Sequence, residues 1–331
     1  MMRLKTIALS ISILALSGLY AFSPTTMKEK QETGIKLPEA QWKVPDAINK
    51  DDGSIDASKL PKSPYTDAVI LGSKIMNETH LYIGPDAKDK SKRFAGNHLS
   101  CSSCHALGGT VANQGGYVGI LGRFPAWQAR SDKVTSLEDR INGCMVRSMN
   151  GKIVPVDSKE MKAMMAYMHF LSQGIPVGAK TKGQGIPKIA NLDRAASPKK
   201  GKLVYDNSCA ACHGIDGEGV KNVAAAKGDY YTFPPLWGKD SYNTGAGMYR
   251  LKKCAAYVKA NMPKGDANLT LEESYDVCAY INTQPRPVFP NREKDFPDLR
   301  VKPVDSDVGP YEDKFNEKEH RFGPYKEMVG H

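Results

Sequence analysis

A mainly α-helical chain of two small domains joined by a linker, with extended N- and C-terminal segments, is the fold class this sequence predicts. Three observations carry that prediction. A five-residue motif, Cys-x-x-Cys-His, occurs twice, at Cys101–His105 and Cys209–His213, separated by about one small domain. Helical periodicity and capping signals flank both copies. Between them lies a stretch rich in Lys, Gly, Ala and Pro that reads as a linker.

The elements follow in order. Arg3 and Lys5 form a basic n-region before an apolar run from Thr6 to Phe22, so residues 1–23 read as a secretory signal. The run is short for a membrane span. Ala21-Phe22-Ser23 is a poor cleavage site because Pro24 follows, which leaves an uncleaved anchor as the alternative. Residues 24–60 are a polar, turn-rich N-terminal extension, and residues 61–177 form the first domain. There, Asp157 to Ser172 is predicted helical, with Met161, Met164, Met165, Met168 and Leu171 as a core-facing stripe and His169 on the surface. Residues 178–197 are the linker. The second domain, 198–286, opens with a helix from Pro198 carrying Gly201 and Tyr205. A helix from Gly247 to Ala260 leads to Asn261-Met262-Pro263. Thr270-Leu271-Glu272-Glu273 is a capping box starting a helix through Ile281. The tail, 287–331, holds six prolines and reads as an extended segment over the surface.

The duplicated motif fixes the cofactor chemistry. Two thiols at that spacing add across the vinyl groups of haem, and the adjacent histidine faces the iron. Cys101, Cys104, Cys209 and Cys212 are therefore expected to attach two haem c groups covalently, with His105 and His213 as proximal ligands. Attachment of this kind happens outside the bacterial cytoplasm, in agreement with the export signal and a periplasmic address. For the second haem, Met262 is the expected distal ligand, with Met248 as competitor. Such His/Met ligation suits electron transfer.

Three of the seven cysteines remain. Cys254 and Cys278 lie on apolar helix faces flanking the Met262 loop, and in an oxidising compartment a disulfide is expected; two buried free thiols are the alternative. Cys144 sits alone among Arg123, Arg130, Lys133, Arg140, Arg147 and Lys152, opposed by Asp132, Glu138 and Asp139. Guanidinium groups favour the thiolate, which is both a nucleophile and a soft iron ligand, and they hold oxyanions through forked hydrogen bonds. A net charge of +10 accompanies no aromatic-interleaved basic module, so it points to anionic substrates and an acidic redox partner rather than nucleic acid. His80, His98, His320 and His331 receive no chemistry.

The segment Arg140-Ile141-Asn142-Gly143-Cys144-Met145-Val146-Arg147-Ser148-Met149-Asn150-Gly151-Lys152 resembles the bacterial dihaem thiosulfate dehydrogenase/tetrathionate reductase family. The resemblance continues through Tyr242–Arg250, Asn261-Met262-Pro263, the Tyr275-Asp276-Val277 helix and Gln284–Pro287. It implies two class I cytochrome c domains and the interconversion of two thiosulfates with tetrathionate plus two electrons, passed to a small periplasmic cytochrome. By position it implies that His105 and Cys144 ligate the active-site haem, and that Arg130, Arg140, Ser148 and Lys152 serve the substrate. His213 and Met262 would ligate the second haem. Some relatives place a lysine beside that methionine; here the residue is Asn261, which argues against ligand exchange and leans towards appreciable tetrathionate reduction. A Sox-type haem–thiolate transferase subunit and a non-catalytic dihaem carrier are the rival readings.

Overall fold

In a computed structural model of the protein, residues 39–223 and 228–329 are described. The signal expected at residues 1–23 lies outside them, as does His331. Among the described residues no helix is long and apolar enough to cross a membrane.

Both domains are built on the same helix crossing. In the first, α1 (Pro64–Asn77) starts at the Ser63 cap with proline at its first position. Its Val69, Ile75 and Met76 are buried against the methionine stripe of a later helix, Lys159–Phe170, which begins at the Ser158 cap. Gly72 makes the approach possible, since a Cβ there would lie 2.1 Å from the Ala163 carbonyl oxygen. Met161, Met164 and Met168 are buried as core residues, whereas His169 is exposed and hydrogen-bonded to the Tyr65 hydroxyl at 2.7 Å. Between these helices the chain places α2 (Leu137–Arg147), after which Lys159–Phe170 is α3.

In the second domain α4 (Pro198–Ser208) runs directly into the second Cys-x-x-Cys-His. It crosses α6 (Leu271–Thr283), whose Thr270–Glu273 capping box forms as the sequence indicates. The crossing point is Gly201, whose absent Cβ would otherwise stand 1.8 Å from the Asp276 carbonyl oxygen. Between them lies α5 (Leu251–Asn261), fastened to α6 by a disulfide between Cys254 and Cys278 with Cα atoms 5.8 Å apart. The helix expected from Gly247 is interrupted. Gly247–Tyr249 is a single 3-10 turn, and Arg250 is extended (φ −77°, ψ 127°) before α5 begins. Met248 therefore leaves the α5 face on which periodicity puts it.

The extensions are integral to the domains. Glu39–Ala40 pairs in parallel with Lys180–Thr181, tying the N-terminal segment to the linker. Ala47 and Ile48 enter the first core, and Leu192 and Ala196 of the linker enter the second. The tail runs over the surface at first, with 3-10 turns at Arg292–Lys294 and Leu299–Val301. It then ends differently from the extended strap expected. An Asn316–Glu319 capping box starts α7 (Glu317–Phe322), and Tyr325 and Met328 are buried in the second core.

A histidine joins the two domains. His98 Nδ1 lies 3.0 Å from the Asp240 carboxylate, and the ring stacks on Tyr230. The hydrogen bond to Asp240 raises the His98 pKa despite burial. Burial works against Asp240, but hydrogen bonds from His98 and Tyr231 leave its pKa lowered. A histidine with a raised folded pKa stabilises fully below the ordinary value of about 6.5 and loses that contribution as pH rises through the folded value. Asp240 contributes above about pH 3.9 and loses its share in acid. Melting temperature is therefore expected to fall as pH rises above about 6.5, and less steeply in His98→Gln. Equal slopes in the two proteins would contradict this role.

Candidate active site

Helix α2 presents the isolated cysteine. Ser136 caps it with Asp139, and Leu137, Ile141 and Met145 turn into the first core. Arg140 and Cys144 are four residues apart and so share a face. Arg140 Nη1 donates to Cys144 Sγ at 3.3 Å. The neighbouring Cys144 sulfur is the main reason that the Arg140 pKa is raised, against the effect of burial. The adjoining motif residues are structural. The Asn142 amide bonds both backbone groups of Val154, and a Cβ on Gly151 would lie 2.0 Å from the Phe94 carbonyl oxygen.

A cavity of about 370 Å³ opens onto this face. Cys101, Cys104 and His105 line it together with Arg140, Cys144 and Ser148, and its walls include Met76, Leu99, Ile120 and Leu137. The His105 Nδ1–H donates to the Gly115 carbonyl oxygen, because that oxygen can only accept. The proton is thereby fixed on Nδ1, leaving Nε2 with its lone pair for a metal. Burial pushes the His105 pKa down to about 4, opposed by the Gly115 bond, so the imidazole is neutral at physiological pH. Two thiols, a neutral imidazole and a further sulfur around one apolar cavity fit a covalently held haem.

The second motif repeats the orienting bond. His213 Nδ1 donates to the Pro234 carbonyl oxygen at 2.8 Å. Met262 follows the end of α5, its N–H bonded to the Val258 carbonyl oxygen, and packs with Cys209 against the second core. The neighbouring Asn261 side chain is buried and donates to the Tyr257 and Asn113 carbonyl oxygens, so it braces one domain against the other.

Several anticipated residues fall elsewhere. Arg130 does not line the cavity. Its Nη1 donates to the Gly245 carbonyl oxygen at 2.7 Å and lies 3.9 Å from Asp295, while Phe296 packs beneath the guanidinium. Burial, and next Arg147, push the Arg130 pKa down to about 10, with Asp295 opposing. Lys152 is exposed, with its ammonium over Phe94 and away from the cavity. Ser148 caps the C-terminus of α2 and lines the cavity. Met248, weighed above as a ligand in the second domain, lines the first-domain cavity with Tyr242.

Other residues of the site had no role assigned from the sequence. Arg147 makes a two-pronged ion pair with Asp295 at 2.8 and 2.7 Å, tying the C-terminal tail to α2. Asn243 of the second domain and Asn97 of the first donate to the Val146 and Ser148 carbonyl oxygens, satisfying the open end of α2. His98 holds carboxylates with both nitrogens, Asp240 at Nδ1 and Asp86 3.7 Å from Nε2. His80 and His320 are likewise engaged by Asp86 and Asp313.

Residues 90–177 match the family described as SoxA/TsdA, cytochrome c domain, and residues 198–285 match the cytochrome c family. Each motif therefore carries one covalently bound haem c. The chain is 40% identical to the thiosulfate dehydrogenase of Allochromatium vinosum, over 70% of this chain and 83% of that protein. It is 37% identical to the thiosulfate dehydrogenase of Stutzerimonas stutzeri, over 70% of this chain and 71% of the other. Among solved structures, the as-isolated thiosulfate dehydrogenase TsdBA from Marichromatium purpuratum superposes with a TM-score of 0.65 at 32% identity. The match covers 71% of this chain and 49% of that one, so this chain spans about half of the solved one.

Proposed function

This chain belongs to the thiosulfate dehydrogenase family, and on that premise we propose that it is an exported, periplasmic oxidoreductase interconverting two thiosulfates and one tetrathionate. The single observation that carries the proposal is the Arg140–Cys144 pair, 3.3 Å apart on the wall of the first haem cavity. It sets a nucleophilic sulfur beside an oxyanion-binding group.

His105 and Cys144 would hold the first iron, and His213 and Met262 the second. The haems, when bound, supply two one-electron acceptors and so divide a two-electron change. In the oxidising direction the Cys144 thiolate and the terminal sulfur of thiosulfate form a sulfur–sulfur bond, with loss of two electrons, giving a cysteine S-thiosulfonate. A second thiosulfate then attacks the sulfur bonded to Cys144. The bond to Cys144 breaks, tetrathionate leaves and the thiolate returns. No proton is gained or lost across the cycle. Arg140 offsets the repulsion between the two dianions as they meet, and it does so from a fixed position, without reorganisation during the reaction. Electrons would leave through the second domain to a small periplasmic cytochrome c.

The reverse reaction, tetrathionate reduction, is proposed to be appreciable. Asn261 occupies the place where a lysine would compete for the second iron, and its amide is already committed to Tyr257 and Asn113. Met262 would then remain the ligand in both oxidation states.

Pure haem-loaded protein mixed with thiosulfate and an oxidised dye tests the proposal. One tetrathionate per two electrons is expected without any carrier protein, and tetrathionate should oxidise the reduced dye. An absolute requirement for a carrier protein would favour the transferase reading instead.

A further inference from the structure

Helix α2 carries the cysteine on which the proposed reaction turns, and the C-terminal tail grips the chain on both sides of it. The Phe296 N–H donates to the Arg130 carbonyl oxygen at 2.8 Å, in the segment that leads towards α2. Asp295, the preceding residue, accepts both prongs of Arg147, the last residue of α2, at 2.8 and 2.7 Å. Cys144 stands three residues before Arg147, within one turn of this pair. The partner of Arg147 comes from 148 residues further along the chain.

The charges explain why a carboxylate is needed there. Arg130 Nη1 and Arg147 Nη1 both donate to the Gly245 carbonyl oxygen, at 2.7 and 3.1 Å, so two guanidinium groups converge on one acceptor. Like charges so close repel unless an anion accompanies them. Asp295 is that anion, paired with Arg147 and 3.9 Å from Arg130 Nη1. The Arg147 and Asp295 side chains are only 16% and 17% exposed, so solvent screens little of the attraction. The tail supplies a second hold, since the Arg147 guanidinium lies over the Phe289 ring, 4.2 Å from its centre. Phe296 is buried with φ +62°, in the left-handed region that a bulky residue avoids. Such strain persists where the surroundings over-determine it, and it gathers near functional sites.

We infer that Asp295 is a positioning residue for the Cys144 sulfur, acting through Arg147, and that the tail serves the reaction by fixing where α2 presents that sulfur. Asp295 touches no substrate in this role. A misplacement of about 1 Å costs a reacting group on the order of a hundredfold in rate. The turnover readout rests on the proposed reaction, whereas alkylation of Cys144 by iodoacetamide does not.

Both are measured on haem-loaded parent, Asp295→Asn, Arg147→Lys, the double variant and Asp295→Glu, well below the melting transition. Asp298→Asn, which breaks an exposed ion pair of the same tail with Arg300, is the control. Asp295→Asn and Arg147→Lys should each lower kcat by about 10- to 100-fold, with KM within about threefold of the parent. The double variant should be no slower than the slower single one, because each removes the same two-pronged pair. Asp295→Glu should recover part of the rate, and Asp298→Asn should match the parent. Cys144 should alkylate several-fold faster in Asp295→Asn at equal haem content. An unchanged kcat in Asp295→Asn would overturn the inference. So would additive losses in the double variant, or a loss that merely tracks missing haem. If the parent turned over neither sulfur compound, the proposed reaction would fall. Faster alkylation in Asp295→Asn would then still support the positioning role, and an unchanged rate would end it.

Discussion

Cys144→Ala is expected to lower turnover of both thiosulfate and tetrathionate by about a thousandfold or more, with both haems still attached. The size of the effect follows from the role. Removing an electrostatic helper such as Arg140 leaves the chemistry intact but slower, whereas removing the only thiol in the cavity beyond the two haem-attachment cysteines leaves nothing to carry the sulfur chain. Haem attachment uses Cys101 and Cys104, so it is untouched. The helix is also spared. Cys144 sits between the core stripe and solvent, and alanine is a better helix former. Turnover per haem, measured beside absorbance and melting temperature, checks the expectation. Near-normal turnover would remove Cys144 from the reaction.

The largest effect on folding is expected from Gly201→Ala. Alanine is favoured over glycine in a helix by about 1 kcal/mol. Here that gain is overwhelmed, because the new Cβ would stand 1.8 Å from the Asp276 carbonyl oxygen. Backbone cannot turn aside as a flexible side chain can, so α4 and α6 must separate and unpack Tyr205, Tyr275 and Val277 from the second core. A loss of about 3 kcal/mol or more is expected. Calorimetry should show the melting temperature falling by on the order of 10 °C, with the second haem incorporated poorly. A melting temperature within about 2 °C of the parent would contradict the crossing geometry.

How much of this was legible in the sequence depended on the range of the interaction. Thr270 and Glu273, or Met161, Met164 and Met168, obey local rules of capping and periodicity, and the structure follows them. Arg140 and Cys144 also meet through a local rule, since four residues along α2 bring them to one face. The surroundings of Arg130 are not legible locally, because its partners come from far along the chain. Gly245 belongs to the second domain and Asp295 to the tail, and no local pattern says that they will converge. Met248 was placed on α5 by periodicity that assumed an unbroken helix, and the extended Arg250 breaks it. The Asn316–Glu319 box that starts α7 was overlooked because the surrounding prolines signal irregular chain.

The most direct test of the central claim is a mass measurement. Oxidised, haem-loaded protein is exposed briefly to tetrathionate, digested, and its Cys144 peptide weighed. The Cys144 thiolate is expected to displace one thiosulfate and keep the other, so the peptide gains one S-thiosulfonate group that a reductant removes. A Cys144 peptide of unchanged mass, in protein that nonetheless turns over tetrathionate, would contradict it.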